Sequence, residues 1–208
     1  PRQVAEEMKL LKDTYQPDMI WFVDDVFTIH HRWLKEFAEE VTRLDAQIPY
    51  EIISRADRLT DEVIRVLKES GCARIWIGAE SGSQKIIDAM DRRVSVQETA
   101  EMIRLTKTYG IEAGTFIMLG YPGETKEDIK ATIRHLVYAQ PTHFTITVAY
   151  PIKGTPLYEE VRHELIHEPD WQHSTDRDLD FKRLHTKKYY EYAVKWVVNS
   201  VELKTKPG

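Results

Sequence analysis

The chain has 208 residues, of which 42% are hydrophobic and 30% are charged, and its formal net charge is −5. This length fits one domain with a sizeable core, and no apolar run reaches the roughly 18 residues that a membrane span requires. The 29 basic and 34 acidic residues are mixed along the chain, so no basic stripe supports nucleic-acid binding.

The first predicted element is a helix, because Val4, Met8 and Leu11 recur at helical spacing. The chain enters this helix directly after Pro1 without an initiating methionine, so we expect it to be a piece of a longer protein. The N-terminal residues lack the basic and apolar regions of a signal peptide, and the single cysteine, Cys72, excludes an internal disulfide. A cytoplasmic location is the simplest expectation, with Cys72 as a small buried hydrophobe.

Apolar runs then alternate with amphipathic stretches, which is the pattern of a parallel sheet covered by helices. Near-continuous apolar content is typical of strands buried on both faces. The predicted strands are residues 19–23, 50–54, 74–78, 113–119 and 143–149. The helical stripes between them are Leu34, Phe37, Ala38, Val41 and Leu44; Val63, Ile64 and Leu67; and Ile129, Ile133, Leu136 and Val137.

Capping residues agree with the predicted ends of the helices. Ser95 and Thr125 each stand three residues before an acidic side chain, which is typical of a helix start, and Gly71 and Gly110 stand where helices should end. A closed eight-stranded barrel usually needs about 250 residues. Five strands in this length therefore predict either an open partial barrel or a doubly wound sheet.

The pattern changes after Tyr158. Residues 163–180 are polar and are predicted to be irregular. A last helix is predicted over residues 186–203, in which the stripe of Tyr189, Tyr192 and Trp196 is interpreted as helix packing.

Short polar or Gly/Pro-rich motifs follow the predicted strands, and chemistry at successive strand ends is how a parallel barrel builds an active site. The motifs are FVDDVF at 22–27, RAD at 55–57, GAESGS at 78–83, MLGYPGET at 118–125 and GTPLY at 154–158. Together they resemble the radical S-adenosylmethionine (radical SAM) enzymes. The similarity is greatest to the branch with an N-terminal cobalamin-binding domain, which includes the anaerobic magnesium-protoporphyrin monomethyl ester cyclases.

The resemblance implies an α/β fold, a partial parallel (β/α) TIM-like barrel of which about five of six strands are present. It covers residues 1–160, leaving 161–208 as a C-terminal loop and helix. The absent first strand, with the CxxxCxxC loop that binds a [4Fe-4S] cluster, would lie immediately before Pro1. A cobalamin-binding domain would lie further upstream.

The implied function of the intact protein is to bind the cluster and S-adenosylmethionine (SAM) and to generate a 5′-deoxyadenosyl radical. That radical would serve methyl transfer to, or oxidative cyclisation of, a small-molecule substrate. Three thiolates are needed to hold the cluster and this chain has one cysteine, so we expect the fragment itself to be inactive. No catalytic or metal-ligating residue is therefore assigned to it.

The methionine end of SAM needs acceptors for its ammonium and a donor for its carboxylate. Asp24 and Asp25 are the candidate acceptors, although the family's Gly-Gly-Glu-Pro element is replaced here by DDVF, and only one Asp of a strand pair should face the site. Arg55 is the candidate for the carboxylate, since a guanidinium fork matches it. Glu80 resembles the family's ribose-contacting residue, with Ser81 as a secondary candidate.

The adenine requires an apolar slot edged by free backbone groups. The run of Ile117, Met118, Leu119 and Gly120 is the candidate, with glycine permitting close approach. Tyr150 and Pro151 would close the slot from the next strand.

Each assignment has a structural competitor. Asp24 and Asp25 also suit a cap or turn, Glu80 and Ser81 suit a helix cap, and Arg55 could pair with Asp57 or Asp61. Adjacent His30 and His31 lack the spacing that directs two imidazoles to one metal ion. Two other functions stay open: a parallel-barrel lyase in which Asp24, Glu80 and Glu124 perform acid-base chemistry, and a non-catalytic degenerate barrel that serves as a binding module.

Overall fold

The structure, a computed structural model, describes residues 1–166, 170 and 172–205. Its centre is a curled sheet of five parallel strands whose spatial order follows their order in the chain. A doubly wound sheet would reverse its strand order at a switch point, so the half-barrel alternative is the correct one. The strands are β1 (Ile20–Trp21), β2 (Tyr50–Ser54), β3 (Cys72–Glu80), β4 (Glu112–Leu119) and β5 (His143–Val148).

Helices connect the strands and cover one face of the sheet. They are α1 (Arg2–Tyr15), α2 (His31–Arg43), α3 (Asp61–Glu69), α4 (Gln84–Ala89), α5 (Val96–Thr108), α6 (Lys126–Ala139), α7 (Pro156–Val161) and α8 (Lys187–Thr205). Short 3-10 turns lie at Ala56–Arg58, Arg162–Glu164 and Asp176–Asp178. None of the described helices is both long and apolar enough to cross a bilayer.

The predicted caps are confirmed. The Ser95 hydroxyl accepts a hydrogen bond from the Glu98 amide at 2.9 Å, and the Thr125 amide donates to Asp128 at 2.8 Å. Gly71 has a φ of +102° after α3, a backbone angle that side-chain-bearing residues rarely adopt. Helices α4 and α7 were not predicted, because six residues are too few to show a helical period.

Alternate residues of the strands point to the helices and form the core. On β3 these are Cys72, Ile75, Ile77 and Ala79, each at most 2% exposed. The prediction for Cys72 is thus confirmed, and burial raises the pKa of its thiol strongly. Under β1 an aromatic cluster of Phe22, Phe27, Trp33, Phe37 and Tyr50 fixes the start of the half-barrel, with Trp33 stacked on Phe37 at 5.3 Å.

The C-terminal helix packs on α6 and shares a buried cluster with the second half of the sheet. Its buried residues are Tyr190, Ala193, Val197 and Val201. The predicted stripe is therefore partly wrong, because Tyr192 is 60% exposed while Tyr189 and Trp196 are half-buried.

The segment predicted to be irregular has 3-10 turns and one antiparallel bridge between Leu165 and Phe181. Of the predicted irregular stretch, residues 167–169 and 171 lie outside the described residues. The boundary between two parts of the chain at residue 160 stays a prediction.

Candidate functional site

The sheet face opposite the helices, here called the open face, carries the side chains that alternate with the core. The parallel register aligns Trp76 with Gly114 and Gly114 with His143, so these positions share one face. The open-face positions on the strands are Trp21, Glu51, Ile53, Arg74, Trp76, Gly78, Glu112, Gly114, Phe116, Met118, His143, Thr145 and Thr147.

Asp24 and Asp25 lie in a loop at the carboxyl end of β1. The Phe22 amide donates to Glu51 O and the Phe27 amide donates to Ile53 O, each at 3.0 Å. Between these two hydrogen bonds the chain advances five residues here but only two residues along β2. The extra residues bulge out, and the rings of Phe22 and Phe27, 4.8 Å apart, anchor both ends of the bulge.

Both aspartates are exposed, and neither side chain forms a hydrogen bond or ion pair with another described residue. The expectation that strand alternation leaves only one Asp at the site does not apply, because neither residue is in a strand. Both carboxylates are thus available as acceptors.

Arg55, directly after β2, is engaged within the protein. Its guanidinium donates to both oxygens of Asp57 at 2.8 and 3.1 Å and to the carbonyl of Arg92 at 2.9 Å. The hydrogen bonds with Arg55 lower the pKa of Asp57, so the pair is fully charged at neutral pH. The structural competitor foreseen for Arg55 is the arrangement observed.

Glu80 ends β3 with a φ of +59°, next to a register shift in the pairing with β4. Its Oε1 lies 3.0 Å from Arg92 Nη2, above the open face of Gly78. Burial raises the pKa of Glu80 and the Arg92 charge opposes that rise. This carboxylate is therefore a largely desolvated acceptor at the carboxyl end of the sheet.

Arg92 is the site residue that the sequence did not reveal. It lies between α4 and α5, flanked by Asp91 and Arg93, which both have left-handed backbone angles. Those two neighbours pair with each other and are exposed, whereas the Arg92 side chain turns back to Glu80. The only sequence signal was a turn-like DRR segment, which is also typical of a solvated loop.

Ser81 points away from the open face. It is 1% exposed, accepts from the Ser83 amide at 3.1 Å and lies 3.3 Å from the Thr132 hydroxyl of α6. The next residue, Gly82, packs so closely on α6 that an added β-carbon would come within 2.5 Å of Thr132 Cα. Ser81 therefore joins the turn after β3 to a helix.

The side chains of Ile117 and Leu119 also face the helices, within the cluster that includes Ile129 and Tyr190. On the open face this run presents the side chain of Met118, while the Leu119 carbonyl accepts from the Ala149 amide at 2.7 Å and the Gly120 amide donates to Glu124. Gly120 has a φ of +80°, and its missing β-carbon leaves room for Tyr190 and Arg183 of the C-terminal segment.

Glu124 fixes the turn after β4. It is 1% exposed, and its Oε2 accepts from the Gly120 amide at 2.6 Å, while Oε1 has no partner among the described residues. Burial raises the pKa of Glu124 to about 7, against the hydrogen bond from Gly120. A carboxylate so enclosed is not accessible for the acid-base role in the lyase alternative.

Tyr150 and Pro151 follow β5. Tyr150 lines a recess of about 230 Å³, and Pro151 is buried. The chain here is held by Arg183, whose guanidinium bonds Asp180 and the Ala149 carbonyl. Arg183 thus ties the C-terminal segment to the carboxyl end of β5.

The structure brings Arg55, Glu80 and Arg92 together at the carboxyl ends of β2 and β3, beside the Asp24–Asp25 loop. The arrangement offers two exposed carboxylates, one desolvated carboxylate and two guanidinium groups. Such a set can bind a zwitterion and a diol. It does not fit an iron-sulfur cluster, because Cys72 is the sole cysteine and lies buried on the helix side.

The sequence profile of the Radical SAM superfamily matches residues 1–136. An uncharacterized methyltransferase of Pyrococcus horikoshii is 28% identical over 185 residues, which are 88% of this chain and 40% of that protein. Anaerobic magnesium-protoporphyrin IX monomethyl ester cyclase of Cereibacter sphaeroides is 25% identical over 169 residues, 79% of this chain and 28% of the cyclase.

A solved structure of similar fold is TsrM from Kitasatospora setae, a radical S-adenosylmethionine methyltransferase with cobalamin and a [4Fe-4S] cluster bound. The TM-score is 0.74 at 15% identity, covering 98% of this chain and 45% of TsrM. At this identity the likeness concerns the fold alone. The chain spans less than half the length of each of these three proteins.

Proposed function

Because the chain belongs to the Radical SAM superfamily, as its strand-end motifs predicted, we propose that it is the SAM-binding half-barrel of a larger radical enzyme. The observation that carries the proposal is the group of Glu80, Arg92 and Arg55 at the carboxyl ends of β2 and β3, next to two unpaired aspartates. In a parallel barrel this edge is where cofactors and substrates bind.

In this proposal Asp24 and Asp25 accept hydrogen bonds from the ammonium group of SAM. Their support is the bulge that exposes both carboxylates while keeping the loop anchored to β2. An anchored loop loses little entropy on binding, which favours affinity.

Arg92 replaces Arg55 as the residue proposed to bind the SAM carboxylate. The Nε and Nη2 groups of Arg55 are used by Asp57 and by the Arg92 carbonyl, so Arg55 is proposed to position the Arg92 loop. The Arg92 guanidinium pairs with Glu80 through one nitrogen and has no other polar partner among the described residues, so it retains donors for a ligand.

Glu80 is proposed to accept from the ribose diol, since it is the desolvated acceptor on this edge. For the adenine, the proposed contacts are the backbone of 117–120 and Tyr150 with Pro151. Ser81, Ile117 and Leu119 contribute through the backbone, because their side chains pack towards the helices.

The cluster ligands are proposed to come from protein outside these 208 residues, since one buried cysteine cannot hold a cluster. When bound, a reduced cluster supplies the electron that cleaves SAM to a carbon radical able to abstract hydrogen from a substrate. The residues of this chain bind and orient SAM for that step.

The whole protein is proposed to act on a small molecule, by methyl transfer or oxidative cyclisation, and to carry a cobalamin-binding domain upstream. The support is that the three similar proteins are a methyltransferase, a cyclase and a cobalamin-binding methyltransferase, each more than twice as long. Residues 1–160 are the proposed cofactor-binding part, and a cytoplasmic location remains a prediction.

The test is anaerobic reconstitution of the full-length protein that contains this chain, with iron and sulfide quantitation and an assay for 5′-deoxyadenosine under a strong reductant. Near four irons per chain together with 5′-deoxyadenosine formation is the expected result. A protein that takes up no iron and leaves SAM intact would favour the non-catalytic binding module instead.

A further inference from the structure

The middle of the open face is apolar. Trp76 of β3 and Phe116 of β4 are stacked with ring centroids 5.0 Å apart and planes 18° from parallel, and Met118 follows Phe116 on the same face. All three side chains are partly exposed. We call Trp76, Phe116 and Met118 the apolar floor.

The position of the Trp76 ring is fixed by its surroundings. Its Nε1 donates to Glu51 Oε2 at 3.2 Å, and the six-membered part of the indole lies over Gly114. A β-carbon at Gly114 would come within 2.5 Å of the ring, so only glycine admits this position. The floor is thus preorganised before any ligand arrives.

The charged side chains of the strands next to the floor are paired with one another. Arg74 is the only lysine or arginine on the five strands, all of which are described, and it contacts Glu51 at 2.9 Å and Glu112 at 2.5 Å. His143 lies 3.3 Å from Glu112 at the same level. An anionic group placed on the floor would meet no free cation on the strands and would approach two carboxylates.

Polar partners lie along one edge of the floor. The hydroxyls of Thr145 and Thr147, on the exposed open face of β5, form no hydrogen bond with another described residue. Each hydroxyl can donate one hydrogen bond to a neutral group and can accept hydrogen bonds from one.

We infer that the apolar floor binds an uncharged, planar aromatic group of the substrate by stacking, with Thr145 and Thr147 bonding polar atoms at its edge. This rests on the proposed function, because it assigns the floor to the substrate and the strand-end cluster to SAM. Aromatic faces stack readily, and a thioether packs well against a ring.

The test uses the full-length protein labelled with 5-fluorotryptophan and two matched probes, 2-naphthol and 2-naphthyl phosphate, followed by ¹⁹F NMR. Comparison with Trp76→Phe identifies the Trp76 resonance. We expect 2-naphthol to shift that resonance saturably, and the phosphate ester to bind at least tenfold more weakly. Equal or tighter binding of the phosphate, or saturation that leaves the Trp76 resonance unmoved, would overturn the inference.

Two variants and a control complete the test. Trp76→Leu should weaken 2-naphthol binding at least tenfold, and Gly114→Ala should move the Trp76 resonance without probe and weaken binding. Trp196→Phe, on the helix side, should leave the affinity unchanged. If both floor variants bind 2-naphthol like the unaltered protein, the inference is wrong.

Cleavage of SAM without substrate separates this inference from the proposed function. Trp76→Leu should retain that cleavage, because the Trp76 side chain bonds Glu51 and stacks on Phe116 and forms no hydrogen bond with Arg55, Glu80 or Arg92. If the probe binds at Trp76 but the protein does not cleave SAM, the proposed function is wrong, while the apolar floor is still a binding site for an aromatic group.

Discussion

The guanidinium of Arg92 lies 3.0 Å from Glu80 Oε1, in space that exists because residue 78 is glycine. Two residues twelve positions apart thereby form the charged centre of the candidate SAM site. Because Glu80 is largely buried, this contact is screened less by solvent than an exposed pair would be. The same pair gives the site a direct mutational test.

Arg92→Gln should weaken SAM binding to the reconstituted full-length protein by about tenfold to a hundredfold, since a hydrogen bond to a charged group contributes about 1.5–3 kcal/mol. Titration calorimetry with SAM measures the effect. Arg93→Gln is the matched control, because that side chain is 80% exposed and pairs with Asp91. Equal losses of SAM affinity in both variants would show that Arg92 does not bind SAM.

Gly82→Ala should destabilise the protein strongly. The added β-carbon would lie 2.5 Å from Thr132 Cα and 2.6 Å from the Ala131 carbonyl, which are backbone atoms of α6 and cannot move alone. We expect a loss of about 3 kcal/mol in the free energy of unfolding, the upper range for overpacking. Chemical denaturation measures it.

Gly123→Ala provides the comparison for that variant, because nothing lies within 4 Å of its added β-carbon. Its φ of +78° costs about 1 kcal/mol for a non-glycine residue. A loss for Gly82→Ala no larger than for Gly123→Ala would contradict the close packing of the β3 turn on α6.

Glu124 should make the protein less stable as the pH rises from about 4.5 to about 7. Its pKa in the folded protein is raised to about 7 by burial, so in this range the unfolded chain loses a proton that the folded chain keeps. Glu124→Gln removes this dependence but keeps an acceptor for the Gly120 amide. Between pH 5 and pH 8 the variant should gain about 2 kcal/mol relative to the unaltered protein.

Denaturation curves at both pH values measure that difference. A constant difference in the free energy of unfolding between the two proteins would show that Glu124 ionises as freely in the folded protein as in the unfolded chain.

His135 should act in the opposite direction. Burial lowers the pKa of this α6 residue to about 4, and neither ring nitrogen has a partner among the described residues. Below the ordinary histidine pKa this residue is protonated in the unfolded chain but stays neutral in the folded protein, so stability falls as the pH decreases from about 6.5 to 4. Lowering the pH from 7.5 to 5 should cost about 2 kcal/mol through this residue.

Denaturation curves at pH 7.5 and 5 measure this loss of stability. His135→Leu should abolish the part of the loss that comes from His135, while His30→Leu, at an exposed position, should leave it unchanged. Parallel losses in all three proteins would mean that His135 is protonated in the folded state.

Much of the fold was predictable from local pattern. The predicted strand at 50–54 coincides with β2, and the caps at Ser95 and Thr125 begin their helices as expected. The predicted ends of a strand were wrong where pairing with the neighbouring strand decides them. β1 has two residues instead of the five expected, because the chain after it bulges away from β2. β3 continues beyond its predicted end to Glu80.

For the site, the sequence indicated the carboxylates after β1 and at the end of β3 as candidates, but it did not indicate which side chains of Ile117, Met118 and Leu119 face the helices. An unbroken apolar run such as FIML has no alternation, so it cannot indicate which residues face the helices. The packing of α6 and α8 on β4 decides that.

By itself, then, the sequence determined the α/β class, the strand ends at which chemistry gathers and the family of the chain, because those depend on periodicity and on short motifs. Only the tertiary structure decided that Arg55 is occupied by Asp57 and that Arg92 reaches Glu80. The contact between Arg55 and the Arg92 carbonyl joins residues 37 positions apart. Such a contact depends on how two loops close over one sheet edge, which no local pattern encodes.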